Sequence, residues 1–209
     1  MKTEQQKFWL SDFGKKYLDR NETYEKFNKL FKDQTGFDVI DPFVDFFSDL
    51  DKEMEILEFG CNVGLKLDIL HSLGFKNLTG IDINKDALEI GKKKYPHINF
   101  KHMSIDDFKK ENTSFDLVFT SLVLIHQSPE NLHKVIPNLI DVTRKYIFCY
   151  EYFDENLTEI EYRGNKNVLW KQNFSKLFLD INPDLKIIKE LKYPYLNNSN
   201  VDTGFLLSK

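Results

Sequence analysis

From Glu53 onward the hydrophobic pattern switches back and forth between two periods. Short, densely apolar runs, "EMEILEF", "NLTGIDI", "NFKHMS", "FDLVFTSL" and "KYIFCYEYF", read as buried strands. Between them "GLKLDILHSLG", "NKDALEIGKKKY" and "SPENLHKVIPNLIDVT" read as helices. Gly74 ends the first helix, Asn84 caps the second, and Ser128 with Pro129 opens the third, which Pro137 is expected to distort. Strands alternating with helices imply right-handed crossovers and a parallel sheet covered on both faces. The tail breaks this order. "LWKQNFSKLFLDI" predicts a helix, and "LKIIKELKYPY" and "VDTGFLLSK" predict two strands joined by the polar turn "LNNSN". The first fifty residues are helical instead: Tyr24, Phe27, Leu30 and Phe31 recur at helical spacing after Asn21, a cap candidate, and "DPFVDFFSDL" is a short helix with Pro42 near its start. The expected organisation is a helical cap over 1–52 and an α/β domain over 53–209. Its seven-stranded sheet is mostly parallel and ends in an antiparallel pair.

Composition adds limits. The 209 residues suffice for one domain with a sizeable core, and a net charge of -4 gives no electrostatic reason to expect nucleic acid. No run is apolar and long enough to span a bilayer, and "MKTEQQKFWL" lacks a signal-peptide pattern. Cys61 and Cys149 are far apart and suggest neither a metal site nor a disulfide framework, which fits a reducing cytoplasm.

The candidate chemistry begins in "EILEFGCNVGLKLDIL". An apolar strand carries the acid Glu58, then Gly60, Asn62 and Gly64 make a turn into a helix, and Asp82 ends the next strand. Ligands of open α/β sheets bind at such a crevice, and an acid in Asp82's place can accept both hydroxyls of a ribose. Two nucleosides fit: NAD and S-adenosylmethionine. The loop reads G-C-N-V-G and misses the G-x-G-x-x-G spacing. Glu58 would oppose a pyrophosphate, whereas an acidic turn favours a sulfonium and an ammonium. The antiparallel ending also suits a methyltransferase sheet. The plainer reading of Gly60 and Gly64, that they only let strand and helix pack, loses ground once Asp82 is added.

The chain resembles the Rossmann-like class I S-adenosylmethionine-dependent methyltransferases, and within them the methylases associated with pseudaminic acid biosynthesis. The resemblance runs through "KFWLSDFGKKYLDRN", "ILEFGCNVGLKLDIL", "SFDLVFTSLVLIHQSPENLHKV", "EYFDENLTEIEYRGN" and "DTGFLLSK", and so covers nearly the whole chain. It implies a sugar-like acceptor. It also implies that Glu58, Gly60, Asn62 and Gly64 surround the methionine part of the cofactor, that Asp82 holds the ribose, and that Ile83, Ser104 and Ile105 line the adenine pocket. Thr120 and Ser121 would lie beside the sulfonium. The sequence departs from the family at Ser121-Leu122, where relatives carry a Lys-Gly pair.

On the acceptor side, His126 follows the fourth strand and is the best candidate base, with an ordinary pKa near 6.5 suited to neutral pH. The other reading is a structural histidine at the start of the next helix. Glu151 and Tyr152 end the fifth strand on the same rim and either orient the acceptor or satisfy neighbours. Tyr162 and Arg163 lie in the loop "EIEYRGN". Arg163 suits a carboxylate or phosphate, or else a surface ion pair with Glu159 or Glu161. Tyr17 and Arg20, one helical turn apart, are placed to face the cofactor, Arg20 towards its carboxylate. Trp9 and Phe13 read as core. No histidine and carboxylate grouping has metal-ligand spacing.

The expected function is methyl transfer from S-adenosylmethionine to oxygen or nitrogen of a sugar or nucleotide-sugar acceptor, by a cytoplasmic monomer or homodimer. Three alternatives stand beside it. One is an NAD(P)-dependent reductase. Another is a non-catalytic cofactor-binding member of a glycosylation complex. The third, a nucleic-acid methyltransferase, is disfavoured because the fourth strand continues "TSLVLIH" and not into an Asn/Asp-Pro-Pro-aromatic segment.

Overall fold

The computed structural model describes residues 2–20, 23–104 and 113–209. Strands β1 (Glu55–Phe59), β2 (Asn77–Asp82), β3 (Asn99–His102), β4 (Phe115–Ser121) and β5 (Thr143–Tyr152) pair in parallel. Strand β9 (Val201–Ser208) runs antiparallel between β5 and β8 (Lys186–Pro194), giving the order β3-β2-β1-β4-β5-β9-β8. This is the mostly parallel seven-stranded sheet with an antiparallel end that the patterning predicts. The order turns outward from β1 on one side and β4 on the other, so a crevice opens beyond their carboxyl ends.

Because strand side chains alternate, each face of the sheet builds its own core. On one face Phe46 and Phe47, from α4 (Asp41–Phe47), set their rings 4.9 and 5.0 Å from Phe148 of β5. Leu67 and Leu70 of α5 (Leu65–Ser72) join them. On the other face α7 (Pro129–Val142) and α8 (Phe174–Ile181) bury Val135, Ile136, Leu139 and Phe178 against Leu57, Val118 and Ile147. Asn84 caps α6 (Lys85–Lys94) and Ser128 caps α7, as the sequence leads one to expect. Pro42 sits in the first turn of α4.

Two local expectations are corrected, the single helix over "LWKQNFSKLFLDI" and the Asn21 cap. Helix α7 runs through Pro137 as one element. Proline deletes a ladder bond, and the helix continues past it with Val135, Ile136, Leu139 and Ile140 buried on either side. "LWKQNFSKLFLDI" splits: Trp170–Lys171 forms β7, pairing with β6 (Thr158–Glu159), before Asn173 caps α8. Helix α3 (Tyr24–Thr35) is capped by Thr23, while Asn21 lies outside the described residues. Two helices precede α3: α1 (Glu4–Trp9), closed by a capping box from Thr3 and Gln6, and α2 (Asp12–Arg20). No helix among the described residues is long and apolar enough to cross a membrane.

Candidate functional site

The crevice is an open cavity lined by residues of the strand ends and of the N-terminal helices. Its floor is the turn after β1. Gly60, Asn62 and Gly64 have φ of 71°, 52° and 89°, the left-handed region that glycine tolerates best and asparagine next. A Cβ on Gly60 would come within 2.6 Å of the Val123 side chain, and one on Gly64 within 2.6 Å of Phe100. Both glycines are therefore demanded by space as well as by φ. The Ile81 carbonyl of β2 accepts the N–H groups of Gly60 and Cys61 at 2.8 and 3.1 Å, which ties the turn to its neighbour strand.

Asp82 lines the cavity half-buried, and its carboxylate also holds the turns. Oδ2 accepts the Asn62 N–H and Oδ1 the Asn84 N–H, each at 2.8 Å. Burial pushes its pKa up, against those bonds. Each oxygen keeps a second lone pair for a ligand hydroxyl. Gly60, Asn62, Ile83, Ser104, Ser121 and Tyr17 line the same cavity, and Gly64 opens α5 beneath it. Ile105 lies outside the described residues, as does the side chain of Arg20.

Glu58 corrects its expected place. It shares a face of β1 with Ile56, is wholly buried, does not line the cavity, and neither carboxyl oxygen has a hydrogen-bond partner. Burial lifts its pKa to about 8, opposed by nearby Lys66. In the protein alone at neutral pH this acid is mostly uncharged, so it is no ready-made anion facing the ligand.

Glu151 is likewise placed behind the wall and not on it. It is buried, and it accepts Thr120 Oγ1 at 2.9 Å, the Val123 N–H at 3.1 Å and the Ile125 N–H at 3.3 Å. Its job is to hold the segment that follows β4, whose Ser121, Leu122, Val123 and His126 form the wall. Burial raises its pKa to about 7 despite those bonds. Thr120 is fully buried and spends its hydroxyl on Glu151, so it does not reach the cavity. Leu122 has φ of 58°, a conformation glycine adopts without penalty, at one of the two positions where the sequence departs from the family it resembles.

His126 lines the cavity at 9% exposure. Its Nδ1 lies 2.7 Å from the Val168 carbonyl. A carbonyl only accepts, so Nδ1 carries the proton and Nε2 presents a lone pair. Among the described residues Nε2 has no hydrogen-bond partner, and it is not sealed within the protein. Burial lowers the pKa from 6.5 to about 4. This corrects the expectation of a base poised near neutrality: His126 stays uncharged at physiological pH and acts as a hydrogen-bond acceptor.

Aromatic rings build the mouth. Trp9 packs edge-on against His126 at 4.7 Å and Tyr17 at 5.2 Å, and Tyr162 stands 5.5 Å from His126 and 5.7 Å from Phe13. Trp9 therefore lines the cavity half-buried and is not core, while Phe13, also half-buried, and Tyr162 stand behind it without lining the cavity. Tyr152 lies beside Tyr195 at 6.2 Å, away from this cavity. Arg163 is exposed in the tight turn that joins Tyr162 to Asn165, and does not line the cavity. Helix α1 spans the opening: Gln6 Nε2 donates to Ser104 Oγ at 2.7 Å, and Gln5 Nε2 to the Asn167 carbonyl at 3.1 Å.

Sequence reasoning missed Gln6, Trp9 and Lys66. Only Lys66, in the first turn of the helix after the glycines, carried a signal of position. Among the described residues no three His, Cys, Asp or Glu side chains gather as a metal-binding group.

Residues 56–146 match the family described as "Methyltransferase domain". No curated protein matches the chain. Among solved structures it is similar to magnesium protoporphyrin IX methyltransferase from Synechocystis PCC 6803 with bound SAM. That likeness has a TM-score of 0.73 at 14% identity and covers 100% of this chain and 98% of that one. It is similar to Burkholderia thailandensis 1,6-didemethyltoxoflavin-N1-methyltransferase with bound 1,6-didemethyltoxoflavin and S-adenosylhomocysteine (TM-score 0.67, 11% identity, 95% and 90% covered). N-methyltransferase NodS from Bradyrhizobium japonicum WM9 gives a TM-score of 0.58 at 18% identity, with 75% and 86% covered. The chain thus has the fold of the class I methyltransferases, and its residues 56–146 match the methyltransferase-domain family.

Proposed function

We propose that the chain is an S-adenosylmethionine-dependent methyltransferase that methylates oxygen or nitrogen of a small, sugar-like acceptor entering beside His126. The observation that carries the reading is the crevice where half-buried Asp82, within the matched residues, faces a cavity that Trp9, Tyr17 and Phe27 of the N-terminal helices wall from outside them. The residues fit the donor. Asp82 offers carboxylate lone pairs for ribose hydroxyls, Ile83, Met103 and Ser104 offer a mostly apolar slot for a base, and Asn62 Oδ1 is a buried acceptor with no partner. When bound, the donor supplies a methyl group on a cationic sulfur. The protein contributes position and exclusion of water: Trp9, Tyr17 and Leu122 keep the reacting end apolar, and His126 Nε2 takes a hydrogen bond from the acceptor and aims it. Tyr162, resting on His126, completes the acceptor end, and residues 1–52 act as a cap through Gln5 and Gln6. The nonulosonic-acid or surface-glycan setting, the cytoplasmic location and a monomer or homodimer rest on the resemblance of the end segments and on the unpaired cysteines.

Thermal unfolding tests the donor. S-adenosylmethionine and S-adenosylhomocysteine, each at a hundred times its dissociation constant, are expected to add about 2.7 kcal/mol, and NADH nothing. A shift with NADH alone overturns the reading.

His126→Ala is expected to spare cofactor binding and to lower turnover about a hundredfold. The wild-type pH profile should show no limb from His126 between pH 6 and 8. The sign for stability follows from a folded pKa of about 4 below the ordinary 6.5: the contribution is whole above 6.5 and is lost as pH falls towards 4. The alanine variant should lose less stability over that window. Full activity in the variant would remove His126 from the reaction.

A further inference from the structure

Lys66 is the only cationic side chain among the described residues that line the cavity. It rises from the first turn of α5, and its Nζ donates to the Ser121 carbonyl at the end of β4, 2.9 Å away. It thereby ties the helix that follows β1 to the end of β4, on the wall of the cavity. An ammonium has three donors, and this hydrogen bond uses one. Glu58, which lies near Lys66, offers it no hydrogen bond, since both Glu58 oxygens are without partners. A half-buried cation with donors to spare, facing a largely apolar cavity, calls for an anion. Asp82, the acid on the same wall, is already engaged by two backbone N–H groups.

We propose that Lys66 receives the carboxylate at the amino-acid end of the donor nucleoside, while the second lone pair of the Ser121 carbonyl is left for the adjacent ammonium. This rests on the methyl-donor reading above and adds to it the group that orients the donor's tail. Lys66 is a binding residue here, and its charge recognises one end of the ligand only.

The test is calorimetric and needs no acceptor. S-adenosylhomocysteine carries the carboxylate and the ammonium, and 5′-methylthioadenosine carries neither. In Lys66→Met, which keeps the stem and removes the charge, the dissociation constant for S-adenosylhomocysteine should rise about tenfold to a hundredfold, and that for 5′-methylthioadenosine should stay as in the wild type. Lys66→Arg should recover much of the loss. Equal loss for both ligands, or no loss for either, overturns the proposal and leaves Lys66 a strut between α5 and β4. The same holds if Arg20→Met shows the selective loss and Lys66→Met does not. Should Lys66→Met fail to fold, the wild type decides by comparing S-adenosylhomocysteine with its decarboxylated analogue: a tenfold or greater preference for the former supports a carboxylate anchor, and equal affinity overturns it. A wild-type protein that binds none of these nucleosides sinks the donor reading itself, which is a distinct outcome.

Discussion

Glu151→Ala is expected to lower the stability of the free protein by about 3 kcal/mol or more, which for a chain of this size is a fall of about 6–12 °C in Tm. The reason is local. The substitution strands the Thr120 hydroxyl and the Val123 and Ile125 N–H groups at a fully buried position. Those donors hold the segment that carries Leu122, Val123 and His126 into the cavity wall, so donor affinity should fall with Tm. Glu151→Gln keeps one acceptor oxygen and turns an amide NH₂ towards the remaining donors, and should fall between the two. The measurement is a melt of each variant with and without S-adenosylhomocysteine. A Glu151→Ala protein that melts like the wild type but has lost turnover would instead place this carboxylate in the chemistry.

Asp82→Ala should weaken S-adenosylmethionine by about 1–3 kcal/mol through lost charge-assisted bonds to the ribose. A further loss follows because the Asn62 and Asn84 N–H groups lose their acceptor and the glycine turn its latch. Asp82→Asn, able to accept through one oxygen, should retain part of both. Titration calorimetry on the folded variants checks this: unchanged affinity in Asp82→Ala refutes the ribose assignment. A lower Tm with unchanged affinity would reduce Asp82 to the latch alone.

Several features of this protein are legible in the chain because they arise within a few residues. The alternation of buried runs with helical periods sets the strands, Asn84 and Ser128 cap helices through their own backbone neighbours, and the polar turn "LNNSN" returns β8 onto β9. The glycine turn and Asp82 belong with these, since β1 and β2 are adjacent and their ends must meet.

What escaped local reading depends on distant partners. Pro137 is tolerated because a sheet lies under α7, and Trp170 pairs with Glu159 and not with a helix of its own. Trp9 reads as core until α1 is laid across a cavity mouth.

The two acids and the histidine show the division most plainly. By itself the sequence placed Glu58, Glu151 and His126 at strand ends around one crevice, because period and order decide where strands end. It did not decide what they do there. Burial, a property of the whole packed chain, left Glu58 unpaired behind the floor, turned Glu151 into a brace and took the charge from His126. Desolvation acts on a group through every atom around it, and those atoms come from segments far apart in the sequence.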